Sequence, residues 1–142
     1  MIIMQTDNQN NYSQEKVVIK KTLEGFEAIT LALVFGSVAT QKAGFDSDVD
    51  VAILTTVKLD DALRLQVINA LAESTGRPVD LVDLRDVGEP LLGQIVQHGD
   101  MLIGNNTQKA RLLSRHLLDN ADFMPYKTRI LAERRSQWIN KL

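Results

Sequence analysis

The sequence predicts an α/β (α+β) fold, in which a small mixed sheet is flanked by helices and followed by a helical C-terminal extension. Helical periodicities alternate with short apolar runs of strand length, and no internal repeat or low-complexity linker interrupts them. At 142 residues, the chain has the length of a single domain. We therefore divide it into a flexible N-terminal tail (1–12), a core (13–106) and a helical extension of the same domain (107–142).

The predicted core begins with a helix, a strand and a turn. Residues 13–29 have the amphipathic spacing of a helix, with Ser13 as its N-cap. The apolar run 30–35 is typical of a buried strand. Gly36-Ser37 then turns the chain into a short helical stretch that Gly44 closes.

A second strand is predicted at 47–54, where the side chains alternate with a period of two. Val49 and Val51 point to one face, and Asp48 and Asp50 point to the other. The pattern predicts that one face of this strand is core and that the other face lines something polar.

The second half of the core repeats the alternation of helix and strand. Helices are predicted at 58–75, ended by Gly76, and at 87–99, with Gly99 as C-cap. Strands are predicted at 78–84 and 100–104, and the pattern from residue 107 onward is helical.

Composition excludes several classes of protein. The chain has no cysteine and only two histidines, which excludes disulfides and thiolate metal sites and argues against a histidine-rich zinc site. No apolar run approaches the roughly 20 residues that span a bilayer, and the first residues lack the features of a signal peptide. We expect a cytoplasmic protein that binds no membrane and does not bind nucleic acid directly.

The charges are unevenly distributed. Residues 1–107 carry 8 basic and 15 acidic side chains, whereas residues 108–142 carry 8 basic and 3 acidic side chains. A basic end on an acidic body indicates either a charged partner or a solvated helix face.

The residues that point to chemistry are Gly36-Ser37 and, after ten further residues, Asp48-x-Asp50. A glycine lets the backbone approach a phosphate, and a serine at the start of a helix can hold phosphate oxygens. Two aspartates at i and i+2 on a strand point the same way and suit Mg²⁺. With a third carboxylate from a neighbouring strand, such a set could bind two metal ions for phosphoryl or nucleotidyl transfer.

The pattern does not decide which residue supplies the third carboxylate. Asp80 and Asp83 both lie in the strand predicted at 78–84, and because they are three residues apart they face opposite sides.

The stretch VFGSVATQKAGFDSDVDVAIL (34–54) resembles the nucleotidyltransferase signature of the polymerase-β-like superfamily. The resemblance is closest to the minimal nucleotidyltransferase (MNT) antitoxins of HEPN/MNT toxin–antitoxin systems. It extends to RPVDLVDL (77–84), LLGQIVQHGDMLIG (91–104) and LAERRSQWI (131–139).

This resemblance implies a nucleotidyltransferase-like fold and a transfer of AMP from ATP, dependent on Mg²⁺ (two ions), to a tyrosine of a partner HEPN toxin, which neutralises the toxin. It implies that Gly36 and Ser37 bind the nucleotide and that Asp48, Asp50 and Asp80 are catalytic and bind the metal. It favours Asp80 over Asp83 and implies a hetero-oligomer with a toxin encoded nearby.

Two other functions remain as alternatives. One is nucleotidyl transfer to a small hydroxylated molecule such as an aminoglycoside, and the other is a non-catalytic antitoxin that binds its toxin. Clustered, mutually repelling carboxylates argue against a simple binder.

Two further groups of residues lie in the C-terminal region. Arg111 and His116 have the Arg-x4-His spacing of HEPN ribonucleases, but five positions on a helix differ by about 140° in direction. We interpret both as lying on a solvated or interface face. One hypothesis is that Trp138, with Arg134 and Arg135, forms part of the surface that binds a partner protein. The alternative is that Trp138 packs the C-terminal tail onto the rest of the domain.

Overall fold

The computed structural model describes residues 14–36 and 48–119. Predictions that fall on other residues, including Ser13, Ser37, Gly44 and Trp138, lie outside the described residues. The elements, in chain order, are α1 (14–24), β1 (Ile29–Phe35), β2 (Val49–Thr55), α2 (Asp61–Thr75), β3 (Val79–Asp83), α3 (Leu91–His98), β4 (Asp100–Ile103) and α4 (106–119). Every described helix is too short or too polar to cross a membrane.

The four described strands form one mixed sheet in the order β3-β2-β1-β4. β1 pairs antiparallel with both β2 and β4, whereas β2 and β3 are parallel. Parallel neighbours need a crossover connection, and here α2 supplies it between β2 and β3. The α/β class with a small mixed sheet is therefore confirmed.

Both faces of the sheet are covered by helices. On one face, Val49, Val51 and Ile53 of β2 pack in a cluster with residues of α1 and α2, such as Leu23 and Leu71. The other face carries a second cluster, in which residues of β1 and β2 pack against α3 and α4.

The second cluster corrects the prediction that one whole face of β2 is polar. Ala52 on that face is fully buried, and Leu54 packs against the same cluster. Only the beginning of the strand, at Asp50, is polar, because α3 and α4 cover the rest with apolar side chains such as Leu92 and Leu112.

The ends of α2 follow the local signals in the sequence. The Asp60 carboxylate accepts a hydrogen bond of 2.8 Å from the backbone N–H of Leu63, which caps the first turn. Gly76 ends the helix in the left-handed conformation, with φ of 69°. The predicted stop at Gly76 is confirmed.

Three predicted helices are shorter in the structure, one of them α2, which begins at Asp61 instead of 58. α1 ends at residue 24 instead of 29, because Gly25 follows it and Ile29 is already a buried residue of β1, paired with Thr55. α3 begins at Leu91 instead of 87, directly after Pro90, which lacks the N–H that a helix interior requires. Gly99 follows α3 as predicted, and its N–H bonds to the carbonyl of Ile95 over 2.8 Å.

The prediction that His116 lies on a solvated or interface face is wrong. His116 is only 8% exposed, and its Nδ1 lies 2.6 Å from Oε1 of Glu89. The other oxygen of Glu89 accepts a hydrogen bond from the backbone N–H of Gly93, so this carboxylate joins α4 to the first turn of α3. Arg111, on the same helix, is exposed as predicted.

Candidate active site

Asp50 and Asp80 lie side by side at one edge of the sheet. In the parallel pairing of β2 with β3, Asp50 is the register partner of Asp80. Adjacent strands are about 4.8 Å apart, and register partners of parallel strands present their side chains to the same face. Asp80 is exposed and Asp50 is half-buried, so both carboxylates remain accessible at this edge.

Asp48 adds a third negative charge near the same place. It precedes β2, is exposed, and is separated from Asp50 by one residue. Burial raises the pKa of Asp50 above its ordinary value, and the charges of Asp80 and Asp48 raise this pKa further. A cation bound among these carboxylates would relieve that repulsion.

Asp83 lies away from this cluster. Its register partner on β2 is Ile53, three residues along the strand from Asp50, which is a separation of about 10 Å. The Asp83 carboxylate instead accepts a hydrogen bond of 3.0 Å from the backbone N–H of Arg85. The register therefore brings Asp80, and not Asp83, beside Asp50.

Gly36 lies against Asp50 at the end of β1. The preceding residue, Phe35, is the register partner of Asp50. Gly36 has φ of 70°, and a Cβ placed on it would overlap Oδ2 of Asp50. Glycine is required here for two reasons: its left-handed backbone, and the space that the Asp50 carboxylate occupies.

The chemistry of these donors fits Mg²⁺. Mg²⁺ prefers carboxylate oxygens and keeps several ligands from water or substrate phosphates, so one or two protein carboxylates suffice for each ion. No group of three or more His, Cys, Asp or Glu side chains within 14–36 and 48–119 is arranged to hold a metal ion. Asp50 and Asp80, which share a face, and Asp48 beside them are the residues that could hold the ion together with a phosphorylated substrate.

Two side chains of α3, which sequence reasoning did not assign to the site, line it as well. An open pocket of about 440 Å³ is bounded by Phe35, Gly36, Asp50, Gln94 and His98. Gln94 and His98 are exposed and four residues apart, so they lie on the same side of α3. The sequence predicts a helix over 87–99, but the spacing of its polar residues does not show which edge of the sheet they meet.

The chain is similar in sequence to known proteins. Residues 18–108 match the model of the family described as polymerase beta, nucleotidyltransferase. The chain is 33% identical over 90 residues to the protein adenylyltransferase MntA of Shewanella oneidensis (strain MR-1). That match spans 63% of this chain and 65% of the length of MntA.

The fold is also similar to solved structures. One, described as a toxin–antitoxin with AMP-PNP, has a TM-score of 0.71 and 26% identity, and the match covers 84% of this chain and 98% of the other. A second, a tri-AMPylated Shewanella oneidensis HEPN toxin in complex with an MNT antitoxin, has the same fold, with a TM-score of 0.68 and 24% identity over 87% of this chain and 98% of the other. Because the match to the family model covers more than half of the chain, this chain belongs to the polymerase-β nucleotidyltransferase family.

Proposed function

We propose that this chain is a Mg²⁺-dependent adenylyltransferase that transfers AMP from ATP to a tyrosine of a HEPN-type toxin and so acts as an antitoxin. The name of the similar protein from Shewanella oneidensis supports transfer of AMP to a protein. The similarity to a toxin–antitoxin structure that contains AMP-PNP supports ATP as the nucleotide. We place the protein in the cytoplasm, where ATP and such a toxin occur together.

One observation of the structure carries the proposal: Asp50 lies beside Asp80 across β2 and β3, next to Gly36 at the end of β1. Burial and the charges of Asp80 and Asp48 raise the pKa of Asp50, and no basic side chain among the described residues forms a salt bridge with any of the three carboxylates. Such an arrangement weakens the fold unless cations bind there, so it is explained by a function that uses cations.

The residues divide the reaction among them. The backbone at Gly36, with Ser37 after it, binds the triphosphate. Asp48 and Asp50 would hold Mg²⁺, which would neutralise phosphate charge and make the attacking hydroxyl more acidic. Asp80 would be a further ligand of that ion and would accept the proton of the acceptor hydroxyl. A bond forms between the acceptor oxygen and the α-phosphorus of ATP, the bond between the α-phosphorus and its bridging oxygen breaks, and pyrophosphate leaves.

The test uses ATP labelled either at the α-phosphate or at the γ-phosphate. Each is incubated with Mg²⁺, this chain and the HEPN-type protein encoded beside it. Incorporation of the α label but not the γ label into that protein is expected, and it should disappear when the acceptor tyrosine is replaced by phenylalanine. If neither label enters that protein and a stable complex still forms, AMP transfer is contradicted and an antitoxin that acts by binding is favoured.

The same experiment separates the remaining alternative. If the α label enters a hydroxylated small molecule such as an aminoglycoside, and not the protein, the acceptor assignment is wrong while nucleotidyl transfer stands. The Asp50→Asn variant serves as control in every arm, because it removes a metal ligand with almost no change in volume.

A further inference from the structure

A second pocket lies at the other end of the same sheet face. It has a volume of about 510 Å³. Three arginines line it, Arg85 after β3 and Arg111 and Arg115 on α4, together with three leucines, Leu54, Leu84 and Leu112. We call it the arginine pocket.

Two of the three arginines are held in place by the protein itself. Arg115 donates to the carbonyls of Leu84 and Val87 over 2.6 and 2.8 Å. Arg85 donates to the carbonyl of Thr55 over 2.6 Å. Each of these guanidinium groups has five N–H donors, so other donors remain while the planes are already fixed. Preorganised donors lose less conformational entropy when they bind a ligand.

The positive charge of the arginine pocket is not neutralised within the described residues. None of the salt bridges found among them involves Arg85, Arg111 or Arg115. The carboxylate of Asp83, close by in sequence, is bound to the backbone N–H of Arg85. Three guanidinium groups without a salt-bridge partner among the described residues favour an anionic ligand. They stand out because residues 1–107 carry only 8 basic but 15 acidic side chains.

The lining indicates which kind of anion fits. The described residues that line the pocket include no aromatic side chain that could stack on a base and no glycine whose backbone could approach a phosphate, so a nucleotide is disfavoured. Leucines lie beside the arginines, and Leu118, three residues after Arg115 on α4, is 63% exposed. Apolar side chains next to arginine are typical of protein interfaces, so the fitting ligand is a protein segment with carboxylates beside aliphatic side chains.

The distance between the arginine pocket and Asp50 suits a protein acceptor. Leu54 and Asp50 lie on the same face of β2, four residues apart, which corresponds to about 13 Å. An ordinary interface buries about 800 Å² on each partner and is roughly 30 Å across, so one bound protein can cover both sites.

We propose that the arginine pocket, with Leu118, is the docking surface through which the chain holds its protein acceptor by an acidic segment. The acceptor as partner follows from the proposed function; the surface is the new assignment. Docking there positions the acceptor while its reactive hydroxyl reaches the carboxylates at the other end of the strand.

The test compares the full-length wild type with Arg111→Glu, Leu118→Ser and a control, Lys58→Glu, which makes the same charge change at an exposed position outside the pocket. The Kd for the co-encoded HEPN-type protein is measured by calorimetry without ATP, and the KM and kcat for that acceptor are measured with labelled ATP. We expect Arg111→Glu to raise the Kd and KM at least about tenfold and Leu118→Ser to raise them several-fold. The kcat, the Kd for ATP and the Tm should stay near the wild-type values, because both side chains are exposed.

The outcomes separate this proposal from the proposed function. If the wild type transfers AMP and both variants keep its KM, the docking surface is refuted while the function stands. If the acceptor binds without AMP transfer and Arg111→Glu abolishes binding, the docking surface is supported and the function fails. Docking is also refuted if the chain alone forms a dimer that Arg111→Glu disrupts, since the pocket would then hold a second copy.

Discussion

Replacing Gly36 by alanine tests whether this glycine exists for the site or only for the turn. Gly36 has φ of 70°, a conformation that costs an alanine about 1–2 kcal/mol. The added Cβ would also overlap Oδ2 of Asp50. That oxygen is at the end of a side chain, so the carboxylate can rotate away and the fold survives, but Asp50 loses its position.

The chain contains a matched control for the backbone effect. Gly76 ends α2 with φ of 69°, and nothing lies within 4 Å of a Cβ built on it. Gly76→Ala therefore has the same strain and no steric overlap. Both variants should lose about 1–2 kcal/mol of unfolding free energy, which lowers Tm by roughly 3–8 °C for a chain of this size.

Activity should separate the two variants. A displacement of about 1 Å in a catalytic group can cost about 100-fold in rate, so Gly36→Ala should lose at least that factor in kcat for AMP transfer. Gly76→Ala should stay within about threefold of the wild type at a temperature where both are folded. The assay follows α-labelled ATP, and folding is checked by thermal unfolding in parallel. Equal activity of the two variants would refute the reasoning about Gly36 and Asp50.

Three further predictions concern the site and its support. Because burial and two neighbouring carboxylates raise the folded-state pKa of Asp50 above its unfolded value, its ionised form weakens the fold as pH rises through these values. Asp50→Asn should therefore raise the Tm of the metal-free protein at pH 7 and remove the stabilisation by Mg²⁺, and a lower Tm would contradict this. His98→Ala should reduce AMP transfer at least several-fold with an unchanged Tm, because His98 lines the pocket beside Asp50. The control Gln97→Ala, at an exposed position outside that pocket, should have no effect on transfer. Equal activities of the two variants would exclude a role for His98. Glu89→Gln should lower the free energy of unfolding in urea by about 1–3 kcal/mol, because it weakens the contact with buried His116, and an unchanged midpoint would mean that this pair adds nothing.

Local signals predicted most of the elements. The alternation in residues 47–54 predicted β2, and Asp60 and Gly76 mark the ends of α2 by capping that depends on neighbouring backbone groups. Two of the predictions that failed depended on distant partners. α1 stops early because Ile29 belongs to the sheet, and His116 is buried because its partner Glu89 is 27 positions away.

The sequence by itself determined the chemical groups of the candidate site: a glycine after a strand and two aspartates with the spacing that puts them on one side of the next strand. The sequence did not decide which of Asp80 and Asp83 lies beside Asp50, because the side that each faces is defined only when β3 is paired with another strand. The tertiary structure decided this through the parallel register that pairs Asp80 with Asp50. It also decided that His98 lines the same pocket as Asp50 and that Arg85 lines one with the arginines of α4, because both depend on how the helices pack on the sheet.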